Sequence, residues 1–253
     1  MPLFERGEMD SVADSETRGF PSTDALPRFL AARPVVLFDF DGTVVDSQRG
    51  ILRVASEIIR RRGLPQPSHE RMLLMVGPPL EEGFSLVCGV DDATALEMAG
   101  EYRRLFDEIL RPEDYPVFPG MRELIDAIVA SGRRVAVATS RMEDTAQRMV
   151  AEQRLTQFSA VCGRVAGLRD TKADSIRAAL AALDAEPGDA VMVGDRENDD
   201  LGAREAGVPC IGIYNGAAKP GEHEAAGAAV SVHSVGDLAR VLGVELEQGP
   251  KKA

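Results

Sequence analysis

The stretch Val35-Val36-Leu37-Phe38-Asp39-Phe40-Asp41-Gly42-Thr43 reads as an apolar β-strand that runs into two carboxylates and a turn. Side chains alternate along an extended segment, but beyond the strand end the Asp-Gly turn can bring both acids toward one site at the carboxyl edge of a sheet. Two acids there can divide labour, Asp39 as nucleophile and Asp41 as general acid and then general base. Taken alone, the same residues also make an ordinary turn after a strand.

Outward from this stretch, five more short apolar runs follow at 134–139, 160–162, 190–195, 209–214 and 229–232, each bounded by Gly, Pro, Ser or Asp. They alternate with helical patterns, which predicts an α/β fold: a Rossmann-like parallel sheet flanked by helices. Pro119-Gly120 opens a helix through Ala130, and Ser131-Gly132 closes it. Thr171 is placed to cap a helix from Lys172 to Leu183, with Asp174 in its first turn. Residues 48–117 break the alternation with several amphipathic helices in a row and no strand, so they are expected to form an inserted all-helical cap domain. The expected organisation is a disordered tail over 1–33 with a mildly helical patch from Leu26 to Ala32. An α/β core would span 34–47 and 118–245, the cap 48–117, and a flexible tail 246–253.

Three later segments bear on the Asp39 site. Val135 to Thr139 is a second strand ending in Thr139-Ser140, whose hydroxyl and following amides can hold a phosphoryl oxygen. Lys172, one of only four lysines against 25 arginines, opens a helix and is the point-charge group that phosphate sites use. Val193-Gly194-Asp195-Arg196-Glu197-Asn198-Asp199-Asp200 is another strand end that enters an acidic turn. Each has a plain structural explanation by itself, a turn, a surface lysine or an acidic helix start. Together they supply hard oxygen donors of the kind that suit Mg²⁺, which also takes an oxygen from a substrate phosphate. Two carboxylates 4 Å apart repel by about 4 kcal/mol at an effective dielectric of 20, so such a cluster needs cations.

The formal charge of −12, without a basic run longer than three residues, gives no counterion-release surface for nucleic acid. A small phosphorylated metabolite is the expected partner. The three cysteines, at wide spacing in apolar stretches, read as buried thiols in a reducing cytoplasm. No run reaches a membrane span and the first thirty residues lack the apolar core of a signal peptide, so a soluble cytoplasmic protein is expected. His69, His223 and His233 fall outside these segments and read as surface residues.

In this order the residues resemble the haloacid dehalogenase superfamily of phosphohydrolases, in the subgroup with a helical cap after the first strand. Asp39-Phe40-Asp41-Gly42-Thr43 is similar to its first motif, Thr139 to the second, Lys172 to the third, and Gly194-Asp195 with Asp199 to the fourth. The resemblance implies that Asp39 is an aspartyl-phosphate nucleophile and Mg²⁺ ligand. It implies that Asp41 is the acid/base and offers its backbone carbonyl to the metal, and that Asp195 is the other protein ligand. Asp199 would orient metal-bound water and Lys172, Thr139 would hydrogen-bond the phosphoryl group, and Lys172 would neutralise it. Gly42, Thr43, Ser140, Arg141 and, from the cap, Arg49 are the expected substrate contacts.

Asp46-Ser47, Gly77-Pro78-Pro79-Leu80 and Lys172-Ala173-Asp174 resemble phosphoglycolate phosphatases in particular. Relatives often carry Asn-Lys or Ser-Lys after the second-motif threonine, where this chain has Ser140-Arg141. Phosphonate cleavage would need a Schiff-base lysine from the cap, and residues 48–117 contain none. The expected function is a Mg²⁺-dependent phosphatase acting on a small phosphate monoester. The alternatives are a 5′-nucleotidase or pyrophosphatase of the same family, a β-phosphoglucomutase-like phosphomutase, or a non-catalytic binding module. The core motifs grip a group that all these substrates share and so do not name the leaving group.

Overall fold

The computed structural model describes residues 26–76 and 78–246. Residues 1–25 and 247–253, which belong to the tails expected at 1–33 and 246–253, and Gly77 of the Gly77-Pro78-Pro79 turn lie outside them. In chain order the elements are α1 (Leu26–Ala31), β1 (Val35–Phe38), α2 (Gln48–Arg61), α3 (His69–Met72), α4 (Leu80–Cys88), α5 (Asp92–Ile109) and α6 (Met121–Ala130). They continue with β2 (Arg134–Met142), α7 (Glu143–Glu152), β3 (Ala160–Arg164), α8 (Lys172–Ala182), β4 (Ala190–Gly194) and α9 (Glu197–Glu205). The last four are β5 (Cys210–Ile213), α10 (Glu222–Ala226), β6 (Val230–Val232) and α11 (Val235–Val241).

All six expected strands form, and they join one parallel sheet in the order β3-β2-β1-β4-β5-β6. β1 lies between β2 and β4, so the chain reverses its direction of winding at the strand that carries Asp39. Ligands bind at that switch point in open α/β sheets, outside the carboxyl ends of the strands.

The period-2 alternation of a strand divides the core into two layers. Val36 and Phe38 face the side covered by α6, α7 and α11, where Leu124, Ile128, Met149 and Leu238 are buried. Val35 and Leu37 face the other side, against Ile176, Ala179 and Leu180 of α8 and Ala203 of α9. Burial on both faces explains why β1 and β4 read as unbroken apolar runs.

Among the described residues between β1 and β2 every regular element is a helix, and α2 to α5 form a helical cap. In α2, Ile51, Val54, Ala55, Ile58 and Ile59 make the buried stripe. Phe84, Met98, Tyr102, Leu105 and Phe106 complete the apolar interior of the cap. Tyr102 and Tyr115, in the cap and its return linker, are both buried. Residues 26–33 fall within the tail expected to be disordered, yet Leu26–Ala31 form α1 in the patch read as mildly helical, and Leu30 is fully buried against the core. The N-terminus of α8 forms as read: Asp174 N donates to Thr171 Oγ1 at 3.1 Å while Thr171 N donates to Asp174 Oδ2 at 3.1 Å.

Two further expectations need correction. β2 does not stop at Thr139 but continues to Met142, because its pairing with β3 is irregular between Ala138 and Met142. Ala138 pairs with Cys162 and Met142 with Arg164, so β2 carries extra residues there, and a bulge of this kind re-aims a side chain. Among the cysteines, Cys162 and Cys210 are buried free thiols, but Cys88 is only half-buried because it ends α4 near the surface.

Candidate active site

Asp39 follows β1 directly, and its N–H still donates to Val193 O of β4 at 2.8 Å, so the sheet fixes its backbone. The turn after it is tight. Gly42 has φ +79°, and a Cβ there would lie 2.2 Å from Asp195 Oδ2, so both the conformation and the close approach require glycine. At Gly216, in the loop after β5, a Cβ would lie 1.9 Å from the same oxygen. Backbone therefore closes on the Asp195 carboxylate, which accepts from Thr43 Oγ1 at 3.3 Å and from Ala217 N at 3.3 Å.

Lys172, at the first turn of α8, reaches into this floor. Its Nζ lies 2.5 Å from Asp39 Oδ1 and 2.6 Å from Asp199 Oδ1. Asp199 sits in the first turn of α9, and its other oxygen accepts from Arg196 N at 3.0 Å. Burial works against the Lys172 charge, but Asp199 and Asp39 outweigh it and raise its pKa. Burial pushes Asp39 up to about 6, against the opposing pull of Lys172. Asp195 rises well above the usual carboxylate range through burial and the charges of Asp199 and Asp39.

One oxygen each from Asp39, Asp195 and Asp199 fall within 4.8 Å of one another, all on buried residues. Lys172 supplies one positive charge to these three acids, which leaves room in the charge balance for a further cation. The donors are hard carboxylate oxygens held by backbone and helix starts, a set that fits Mg²⁺. The expected ligands Asp39 and Asp195 are thus together. The Asp41 side chain is elsewhere.

Asp41 is gripped by Arg141. Arg141 Nε donates to Asp41 Oδ2 at 2.7 Å and Nη2 to Oδ1 at 2.7 Å, a two-pronged pair across the extended end of β2. Burial acts to raise the Asp41 pKa, but the Arg141 charge and hydrogen bonds, with help from Ser47, leave it below the ordinary value. The Arg141 guanidinium carbon also stands 4.6 Å from the Phe106 ring centroid, so the pair is sandwiched against the cap.

A cavity of about 630 Å³ opens between the sheet edge and the cap. Asp39, Asp41, Thr139, Lys172, Asp195 and Asp199 all line it, as do the expected contacts Ser140 and Arg141. Thr139 is buried, and its Oγ1 accepts from Arg141 N at 3.2 Å. Three expected substrate contacts are not brought to this cavity. Thr43 is fully buried and supports Asp195, Gly42 serves the turn, and Arg49 is exposed on α2 outside the lining. Arg49 points away because the buried stripe of α2 begins at Gly50 and Ile51.

The lining contains residues that the sequence did not assign to the site. Tyr102, Arg103 and Phe106 come from α5, and Arg196 from the start of α9. Arg196 Nη1 donates to Val76 O at 2.6 Å and Nε to Glu222 Oε1 at 2.7 Å, tying the core to the cap. Cap arginines are numerous and carry no local mark of which one faces a cavity. The Gly216-Ala217 contact had a signal, since it follows the carboxyl end of a strand beside β4.

His223 also departs from the surface position expected of it. It is fully buried, with Nδ1 2.7 Å from Asp200 Oδ2 and its ring edge-on to Tyr214. His69 and His233 are exposed, as read. The acid selected by spacing, Asp199, faces Lys172, while its neighbour Asp200 turns to this histidine.

Residues 36–213 match the haloacid dehalogenase-like hydrolase family. A 5′-nucleotidase of Pseudomonas aeruginosa is 35% identical over 185 residues, covering 72% of this chain and 83% of that protein. A phosphoglycolate phosphatase of Caulobacter vibrioides is 29% identical over 210 residues, 80% of this chain and 88% of its own length. Among solved structures, a predicted phosphatase from Clostridium acetobutylicum superposes with a TM-score of 0.73 at 31% identity, covering 81% of this chain and 96% of that one. With the parallel sheet, the helical cap and the carboxylate-lysine floor beneath it, these matches make the chain a member of the haloacid dehalogenase-like hydrolase family, an enzyme acting on phosphate esters.

Proposed function

We propose that this chain is a Mg²⁺-dependent phosphatase that hydrolyses a small phosphate monoester through an aspartyl-phosphate on Asp39. The observation that carries the proposal is the Lys172 ammonium 2.5 Å from Asp39 at the floor of a cavity. Lysine there orients one carboxylate oxygen and offers positive charge where a phosphoryl group would arrive.

In the first step a carboxylate oxygen of Asp39 attacks phosphorus, the bond to the leaving oxygen breaks, and that oxygen takes a proton from Asp41. In the second, Asp41 takes a proton from water, which attacks phosphorus, releases inorganic phosphate and restores Asp39. Thr139 would donate to a phosphoryl oxygen, and Lys172 would balance its charge. Mg²⁺, held by Asp39, Asp195 and the Asp41 carbonyl, would supply Lewis-acid shielding of the phosphoryl oxygens. Asp199 would keep Lys172 aligned. The helical insertion over 48–117 would close the cavity from water and choose the leaving group, while the core does the chemistry.

The substrate proposed is a phosphoglycolate-like metabolite, with 5′-nucleotides and pyrophosphate as the alternatives that a panel of phosphorylated metabolites would separate. A cytoplasmic setting is in keeping with this; among the described residues no helix is long and apolar enough to cross a membrane. The test is substitution. Asp39→Asn should abolish turnover, and Asp41→Asn should slow it by roughly 10²- to 10⁴-fold, the scale of lost acid–base catalysis. Wild-type rates in Asp39→Asn would remove the covalent mechanism.

A further inference from the structure

We propose that Arg141 is a latch on Asp41, released by a second anionic group on the substrate, and so a specificity-determining residue of this enzyme. The inference rests on the proposed role of Asp41 as acid/base and extends it to the residue that controls its access.

Both carboxylate oxygens of Asp41 are occupied by the Arg141 fork at 2.7 Å each. A carboxyl group that accepts from the guanidinium through both oxygens is held as the anion and has no proton to give a leaving group, so the fork must open before Asp41 can act as an acid. The pair is largely withdrawn from solvent, with side-chain exposures of 13% for Arg141 and 21% for Asp41, so water does not readily replace the lost partner. Something else in the cavity must take the guanidinium.

Four arginines line the cavity, and three are held by acids outside the reaction. Arg103 pairs with Glu81 at 2.5 Å, Arg164 with Asp170 at 3.5 Å, and Arg196 with Glu222 at 2.7 Å. Arg141 alone among these four is paired to an acid of the reaction itself. The transferring phosphoryl group would be met by Lys172, beside Asp39, and by Thr139, whereas Arg141 lies against Phe106 of the cap. A second anion on the leaving moiety would therefore meet Arg141 rather than Lys172. A carboxylate or phosphate there accepts the same two-pronged hydrogen bonding that Asp41 gives up. The exchange frees Asp41 and fixes the substrate at once. A neutral leaving group offers no such exchange and leaves the latch shut.

The test compares 2-phosphoglycolate with 2-hydroxyethyl phosphate, which have the same skeleton but differ in the second charge. Wild type should prefer the carboxylate, in kcat as well as KM. Arg141→Gln should lose roughly 10- to 100-fold in kcat/KM on 2-phosphoglycolate, the scale set by a lost specific hydrogen-bonded contact. On 2-hydroxyethyl phosphate it should lose less than that, so that the ratio between the two esters falls toward one. Phe106→Leu, which removes the ring but neither charge, should shrink the preference in the same direction. Acetate added to wild type turning over phenyl phosphate should raise kcat to a plateau, and should not do so in Arg141→Gln. Equal losses on both esters in Arg141→Gln, or no discrimination and no acetate effect in wild type, would overturn the latch. If Asp41→Asn hydrolyses both esters at the wild-type rate, the acid/base reading itself fails; a slow Asp41→Asn beside an unselective Arg141 confines the failure to the latch.

Discussion

Lys172 and Asp39 meet at 2.5 Å although 133 positions separate them in the chain, and the same ammonium lies 2.6 Å from Asp199. The contact joins the end of β1 to the start of α8 under the cavity. Removing the lysine would leave buried carboxylates without their cation, which typically costs about 3–5 kcal/mol. Lys172→Met should therefore lower the melting temperature measurably and reduce phosphatase turnover by at least about 10³-fold, as expected for the loss of a preorganised charge at a phosphoryl site. Calorimetry and a phosphate-release assay check the two parts. A variant that melts like wild type would contradict the buried-charge argument.

Asp195 gives a metal-dependent reversal. Its ionised form is disfavoured by burial and by Asp199 and Asp39, so without a divalent cation the side chain costs the folded state stability, whether it stays ionised or takes up a proton. In chelator, Asp195→Asn should melt higher than wild type by a few degrees. In Mg²⁺ the order should invert, since a ligand at 100 times its Kd stabilises by about 2.7 kcal/mol and the variant has lost a ligand. Thermal scans of both proteins in EDTA and in millimolar Mg²⁺ test this. An unchanged order in the two buffers would remove Asp195 from the metal site.

The six strands were legible because β1 and β4 are apolar on both faces and end abruptly in Asp, Gly or Thr. That Asp39, Thr139, Lys172, Asp195 and Asp199 share one cavity was legible for the same reason, since a parallel sheet sends its carboxyl ends to one edge. The partners of Asp41 and Asp200 were not. Arg141 lies 100 positions from Asp41 and His223 lies 23 from Asp200, and neither pairing leaves a local pattern. Ser140 and Arg141 also look like the end of a strand because they are polar, whereas a bulge keeps β2 extended through them. Arg49 was assignable in principle. Ile51, Val54, Ala55 and Ile58 define the inward stripe of α2, and helical spacing puts residue 49 outside it.

His223 supplies a pH dependence away from the reaction. Burial acts to lower its pKa, but the hydrogen bond and charge of Asp200 prevail and raise it. A histidine raised in the folded state adds stability that is fully present below the unfolded value of about 6.5 and is lost as pH rises through the folded value. The wild-type melting temperature should thus fall from pH 6 into the mildly alkaline range. His223→Gln should flatten that slope and melt lower than wild type at pH 6. Parallel slopes for the two proteins would show that the pair is not charged.

The covalent step can be caught directly. Wild-type protein quenched in acid during turnover of a phosphate ester, then reduced with borohydride, should carry homoserine at position 39, in the peptide that also contains Phe40 and Asp41. Asp39→Asn treated alike should carry none. Finding the reduced residue at position 41 or 195 instead, or finding no reduced residue while phosphate is being released, would contradict an aspartyl-phosphate on Asp39.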